Sequence, residues 1–244
     1  MAERRTAIVT GASKRVGADI ARALLADGWT VVAHVHNSAD DIPEGAIAAV
    51  ADLAELDCAE RIFAAAAGQP PVRLLVNNAA RFAHDGFGDF KSEELDAHMA
   101  VNVRAPTLLI ERLARQQDGS ADALVVNLLD SKLAAPNPDY LSYTLSKQGL
   151  AGLTELAARA LAPRRIRVNG IAPGLMLRSS GQSEENFRRM HANNPLGRGV
   201  TADDVIGAIR YLVDAQTVTG QVLWLDSGHR FLSLARDVQF LGDQ

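Results

Sequence analysis

A doubly wound α/β fold, with a seven-stranded parallel sheet flanked by helices, is predicted from three observations. Short β-branched or apolar runs alternate with helical patterns along the chain, the signature of repeated βαβ units. Several of the strand runs are apolar almost throughout, as a sheet covered on both faces requires. A glycine-bearing turn, "TGASKRVG", leads straight from the first strand into a helix.

The strands are expected at residues 6–10, 30–36, 47–51, 73–77, 123–128, 167–170 and 221–225. Helices are expected at 16–27, 58–67, 92–115, 140–161, 184–191 and 202–213. Ser92 and Thr201 read as N-caps, each followed by acidic residues in the first turn. Between the second and third strands lies only "NSADDIPEGA", where a parallel crossover usually needs a dozen residues or more. Pro43 and Gly45 leave little room for a regular helix, so a shortened or missing crossover helix is expected. No linker, repeat or low-complexity tract divides the 244 residues, and one domain spanning 1–244 is expected.

Composition narrows the class of function. Apolar residues make up 48% and charged residues 22%, ordinary for a soluble globular protein. Net charge is −4 with scattered basic residues, which argues against a nucleic-acid partner. The lone Cys58 cannot form an internal disulfide and fits a reducing compartment. The start, "MAERRTAIVTGAS", lacks the apolar stretch of a signal peptide, and no run is long enough to cross a membrane. A cytoplasmic location is expected, with no membrane partner and no metal.

The first βα turn points to a dinucleotide. Gly11 can take a tight turn and Gly17 lets the helix pack close to the strand. Backbone N–H groups along Ser13, Lys14, Arg15 and Val16 would then face a pyrophosphate. The second strand ends in "HVHNS", where an NAD site usually has an acidic residue on the ribose. His34, His36, Asn37 and Ser38 are all potential hydrogen-bond donors, and Lys14 and Arg15 add positive charge. Donors and cations suit a 2′-phosphate, so NADP is favoured over NAD; Asp40 and Asp41 count the other way. Asp52 and Leu53, after the third strand, could bracket the adenine. "NNAA", residues 77–80, offers amides and small side chains at Asn78, Ala79 and Ala80 where a cofactor passes close by.

Tyr143 and Lys147 are four apart on a helical segment and share a face. An ammonium near a phenol favours the phenolate and lowers its pKa, making it a usable proton donor or relay. Tyr140 is a nearby competitor, but Thr144 stands where its lysine would be. Pro106 has no N–H, which frees the carbonyl of Asn102 four residues back to bind a water leading toward Lys147. A simple proline kink is the plainer alternative.

Together "TGASKRVG", "NNAA", "VNVRAP", "YTLSK", "RVNGIAPG" and "VTGQVLWLDSG" resemble the short-chain dehydrogenase/reductase family across essentially the whole chain. The resemblance implies a Rossmann fold, NAD(P)(H) and a dimer or tetramer, here expected as a homotetramer. It places the catalytic tetrad on Asn102, position 130, Tyr143 and Lys147, and brings Pro173 and Gly174 to the cofactor. Position 130 is Asp where most members have Ser, and Arg15 replaces the mid-turn glycine. Both departures are shared with a narrower group, the pteridine reductases and bacterial dihydromonapterin reductases. Phe82, in "NNAARF", falls where pteridine reductases stack an aromatic on the pterin. Ala80 and Asn37 stand where that group often has Ser and Arg.

The resemblance implies an NADPH-dependent reductase acting on a C=N bond of a dihydropterin. Arg15, Phe82, Asp130, Tyr143 and Leu175 would meet the substrate, with Asp130 passing a proton to ring nitrogen. Residues 175–195 are the expected substrate lid, where Ser179 and Ser180 lie near the position of a family threonine. Alternatives remain open. Asp130 could merely cap a turn, Ser131 could act after a one-residue shift, and Phe82 could be ordinary packing. The whole could be an NADPH-dependent carbonyl or alcohol oxidoreductase, or a non-catalytic NADP-binding sensor. His229, in the unusual "DSGHRF", reads as a surface residue or as one reaching a neighbouring subunit.

Overall fold

The computed structural model describes residues 4–179 and 181–241. Seven strands form one sheet in the order β3-β2-β1-β4-β5-β6-β7, every neighbouring pair parallel. They are β1 Thr6–Val9, β2 Thr30–Val35, β3 Ile47–Val50, β4 Val72–Asn77, β5 Ala123–Leu128, β6 Ile166–Pro173 and β7 Val222–Leu225. Helices α1 Arg15–Ala26 and α7 Ala202–Asp214 pack on one face. Helices α2 Cys58–Ala64, α4 Ala105–Gln116 and α5 Leu141–Leu161 pack on the other. Helix α3 Ser92–Met99 packs against α5 and leads toward α4, and α6 Glu184–Ala192 follows β6.

Strand periodicity sorts the core. Ile8, Val32, Leu75, Val125 and Val168 join the cluster under α2, α4 and α5. Their sequence neighbours Val9, Val31, Leu74, Val126 and Leu124 join the cluster under α1 and α7, as alternation along a pleated strand dictates. The chain reverses direction of winding between β1 and β4, so loops after both strands open onto one crevice at their carboxyl ends.

Three local features depart from regular expectation. No helix connects β2 to β3, and the short connection runs through turns, in line with the Pro43–Gly45 reading. The long helix expected over 92–115 is broken: α3 passes through a π-helical turn, Ala100–Arg104, into α4. Pro106 sits at the head of α4, where its missing N–H interrupts the regular ladder and the backbone takes the wider turn. Strand β6 runs past Gly170 to Pro173, and that glycine is needed because a Cβ there would lie 2.4 Å from a Leu129 methyl. One N-cap reading is corrected. Lys91 precedes α3 and Ser92 is already helical, with no side-chain cap bond.

Thr201 does cap α7: its hydroxyl accepts the Asp204 N–H while the Asp204 carboxylate accepts the Thr201 N–H. No helix among the described residues is long and apolar enough to cross a membrane. Replacing Thr201 by Ala is expected to cost about 1 kcal/mol of stability. Chemical denaturation should show it as a lower midpoint with an unchanged slope.

Candidate active site

β5 and α5 deliver the reacting groups to one place. Asp130 follows β5 by two residues, and Tyr143 and Lys147 sit on the first two turns of α5. The Tyr143 hydroxyl donates to Asp130 Oδ2 at 2.8 Å. Asp130 Oδ1 accepts the Lys132 N–H at 2.8 Å, closing a short 3₁₀ turn over Ser131–Leu133. One carboxyl oxygen thus caps the turn while the other accepts from the phenol. The phenol's acceptor is Asp130, with Ser131 buried in the turn beside it. Lys147 donates to the Leu128 carbonyl at 2.6 Å, and its Nζ lies 5.6 Å from the Tyr143 ring centre.

The electrostatics correct one expectation. Burial raises the Tyr143 phenol well above its ordinary value, and the nearby Asp130 charge pushes the same way. The lysine does not make a phenolate here. Lost hydration raises the Asp130 carboxyl too, against the opposing pull of the Lys132 N–H and the phenol. Burial lowers Lys147 to about 8, with Asp130 partly offsetting it. The trio therefore holds protons on oxygen more readily than its isolated side chains would.

Neighbouring residues fix this geometry. Asp85, buried in the loop after β4, accepts the Ser142 N–H at 2.9 Å and also the Ser142 hydroxyl. It satisfies a first-turn donor of α5 from outside the helix, since Tyr140 at the cap is left-handed and makes no side-chain cap bond. Asn102, on the π-helical turn, donates to Ser146 Oγ at 2.8 Å. The same side chain bonds the Arg81 N–H at 2.7 Å and the Arg81 carbonyl at 3.0 Å. His98 receives the Ala83 N–H at 3.3 Å. Phe82 is consequently held between two pinned neighbours. Asn102 is placed here by its side chain as a clamp on the Phe82 segment.

Phe82 stacks on Tyr140 at 4.4 Å and meets Tyr143 edge-on at 4.7 Å, while remaining 46% exposed. The chain's C-terminal portion covers the outer side of this aromatic group. Lys132 Nζ bonds Asp237 Oδ2 at 3.0 Å, Arg236 bonds Asp139 at 2.8 Å, and Tyr140 donates to Gln239. Phe240 lies against His84, and Asn186 of α6 bonds the Leu241 carbonyl at 2.8 Å. Sequence reasoning missed Asp85 and this tail entirely. Their partners lie 55 to 156 residues away, and no local pattern announces such pairs.

The crevice beside this centre is shaped by the glycine turn. Gly11 is left-handed (φ +66°), and a Cβ on Gly17 would fall 2.1 Å from the Gly11 carbonyl oxygen. Arg15 is also left-handed (φ 53°), which explains why glycine is the common residue there. Asn78 donates to the Thr10 and Gly11 carbonyls, at 2.8 and 3.2 Å, and Ala79 N–H binds Thr10 Oγ1 at 3.0 Å. Those residues hold the turn from beneath, and Ala80 is exposed beside them. Lys14, Arg15, His36, Asn37 and Ser38 are exposed together, with Ser13 partly so. Asp40 folds back to accept the Asn37 N–H at 3.1 Å, while Asp41 is exposed.

Several predicted cofactor residues point elsewhere. His34 is buried and faces the turn, so it is no donor to a 2′-phosphate. Val16 and Leu53 send their side chains into the core because both are apolar and lie under the sheet's cover. Only their backbones can face the crevice. Asp52 accepts the Ala54 N–H at 2.8 Å and lies 3.9 Å from His36. Pro173 ends β6, Gly174 after it donates its N–H to the Leu225 carbonyl at 2.8 Å, and Leu175 follows partly buried. Arg15 reaches across to the Arg178 carbonyl at 3.3 Å, bounding a cleft of about 580 Å³ with Ser179, Gln182 and Ser183. Ser180 lies outside the described residues. His229 is partly buried in its own chain, in a turn closed by Asp226, and its Nε2 has no partner among the described residues.

A family profile described as enoyl-(acyl carrier protein) reductase matches residues 11–230. The chain belongs to the short-chain dehydrogenase/reductase family. Among curated relatives, pteridine reductase 1 of Leishmania tarentolae is 32% identical over 91% of this chain and 95% of its own. Carbonyl reductase [NADPH] 2 of Sus scrofa is 29% identical over 91% and 95%. Among solved structures, FolM alternative dihydrofolate reductase 1 from Brucella suis, in complex with NADP, is 36% identical. It superposes with a TM-score of 0.88 over 95% of this chain and 97% of that one. Family membership makes the chain an oxidoreductase.

The depressed lysine gives a test that needs no substrate. Lys147 keeps its proton in the unfolded chain up to 10.5 but loses it at about 8 when folded. Between those limits the unfolded state binds more protons, so stability rises with pH. Relative to Lys147→Met, the wild-type unfolding free energy should climb by about 2 kcal/mol from pH 8 to 10. A pH-independent difference between the two proteins would show that the lysine is not desolvated.

Proposed function

We propose that this short-chain reductase uses NADPH to reduce a C=N bond of a dihydropterin with a small side chain, dihydromonapterin or dihydrobiopterin being examples. The observation that carries the reading is the 2.8 Å bond from Tyr143 to a carboxyl, Asp130, where most of the family has a serine. NADP(H) is the cofactor the crevice fits: glycines that a Cβ would obstruct, exposed donors and cations at Lys14, Arg15, His36, Asn37 and Ser38, and Asp40 turned back onto the Asn37 N–H. Reduction of C=N needs a hydride on carbon and a proton on nitrogen, and the bound cofactor supplies the first.

Everything else falls to side chains. Asp130, whose carboxyl burial raises, passes a proton to the ring nitrogen, directly or through water. Tyr143 relays a replacement proton from solvent along the existing hydrogen bond, taking one up as it gives one, and Lys147 orients the ribose and the phenol. A serine hydroxyl could stabilise a carbonyl oxygen in this position but is a far weaker acid. Phe82 offers a ring face to a flat heterocycle, and Arg15 steadies ring and phosphates. The segment 175–195 acts as the lid, and the assembly is a homotetramer in the cytoplasm. Relatives named for pteridine and dihydrofolate reduction support the substrate class.

The test is NADPH consumption with dihydromonapterin, dihydrobiopterin and dihydrofolate, against quinones, ketones and keto-acyl compounds. Turnover should be confined to pterins, with NADH much poorer. Asp130→Ser should lower pterin turnover by about 10²–10⁴-fold, the usual worth of positioned proton transfer. An Asp130→Ser protein with unchanged pterin turnover, or a wild type active only on carbonyl compounds, contradicts the reading.

A further inference from the structure

His34 is 3% exposed, yet both its ring nitrogens are engaged. The Gly11 N–H donates to Nδ1 at 3.1 Å, and Nε2 lies 3.0 Å from the Ala51 carbonyl oxygen. An amide N–H can only donate and a carbonyl can only accept, so the imidazole is neutral with its proton on Nε2. The Ala12 N–H meets the His34 carbonyl at 2.9 Å, and Asn78 holds the Gly11 carbonyl from the opposite side. The left-handed Gly11 peptide is thereby fastened at both ends. Ala51 in turn leads into Asp52 and Leu53, beside the crevice. One side chain therefore joins the first βα turn to the loop after β3, the two segments assigned to the pyrophosphate and the adenine.

We propose that His34 is a positioning residue of the dinucleotide site, stapling these two loops in binding geometry through its neutral Nε2–H form, and that its protonation releases the turn and weakens NADP binding. A proton on Nδ1 would set two donors against each other at Gly11. The charged or titratable groups acting on the ring are His36 at the end of β2, Asp52 after β3 and Asp40 in the β2–β3 connection. Burial dominates and lowers the imidazole pKa, outweighing the opposing pull of the Ala51 carbonyl and the two carboxylates. The staple is closed at neutral pH and opens on acidification.

Two substitutions separate the two bonds. In His34→Asn the amide oxygen takes the place of Nδ1 and keeps the Gly11 bond without being able to titrate. In His34→Gln the longer amide can reach Ala51 but leaves the Gly11 N–H without its acceptor. Calorimetric titration with NADP⁺ from pH 8 to 5 should find both variants about 10-fold weaker than wild type at pH 8, His34→Asn having lost the Ala51 bond and His34→Gln the Gly11 bond, the scale of one hydrogen bond. Titration of the 2′-phosphate affects all three proteins alike, so the wild-type to His34→Asn ratio is what is read. The wild-type advantage over His34→Asn should shrink steadily as the pH falls to 5, because only the imidazole can take up the proton that opens the staple. Equal affinities for all three proteins, or a constant ratio across the range, would overturn the proposal. If a variant does not fold, ¹⁵N spectra of the wild-type imidazole decide: a bare Nδ1 with protonated Nε2 at pH 7 supports the staple, and the opposite tautomer or a cation refutes it.

Discussion

The hydrogen bond between the Tyr143 hydroxyl and the Asp130 carboxyl joins the end of β5 to the start of α5, and the rest of the site is arranged around it. Tyr143 is buried and Asp130 half-buried, and lost hydration makes both hold their protons more tightly. A carboxyl–phenol contact of this kind would be costly if either oxygen were left unpaired. Neither is: the second Asp130 oxygen takes the Lys132 N–H, and Lys147 satisfies the Leu128 carbonyl at the strand's end.

Such a contact survives only if the helix bearing the phenol cannot drift. Asp85 holds the first turn of α5, and Asn102 reaches Ser146 from the π-helical turn that Pro106 imposes. Because Asn102 also grips Arg81 through its backbone, the phenol and the Phe82 ring are positioned by one side chain. Backbone irregularity, chemistry and the aromatic surface are thus parts of one arrangement. On the cofactor side, the glycine turn is held by Thr10 and Asn78 beneath it and by His34 beside it.

Features governed by near neighbours in the chain were legible in the sequence. Apolar runs marked all seven strands, "TGASKRVG" marked the turn, and Pro43 with Gly45 marked the missing crossover helix. Asp130, Tyr143 and Lys147 were recognisable by spacing and come together. Legibility failed where distant contacts decide. His34 looks like a surface donor until Gly11 and Ala51 are seen to claim it. The Tyr143 pKa was read with the wrong sign because proximity to lysine is visible in sequence while burial is not. The tail's pairing with Lys132, Asp139 and Tyr140 links residues about a hundred positions apart.

The central claim concerns a proton on Asp130, and infrared difference titration observes it directly. A protonated-carboxyl C=O band should persist above the ordinary carboxylate range in the wild type and be missing from Asp130→Asn. If every carboxyl band absent from Asp130→Asn vanishes near the usual aspartate pKa of about 4, the carboxyl is an ordinary solvated anion and the proton-donor account fails.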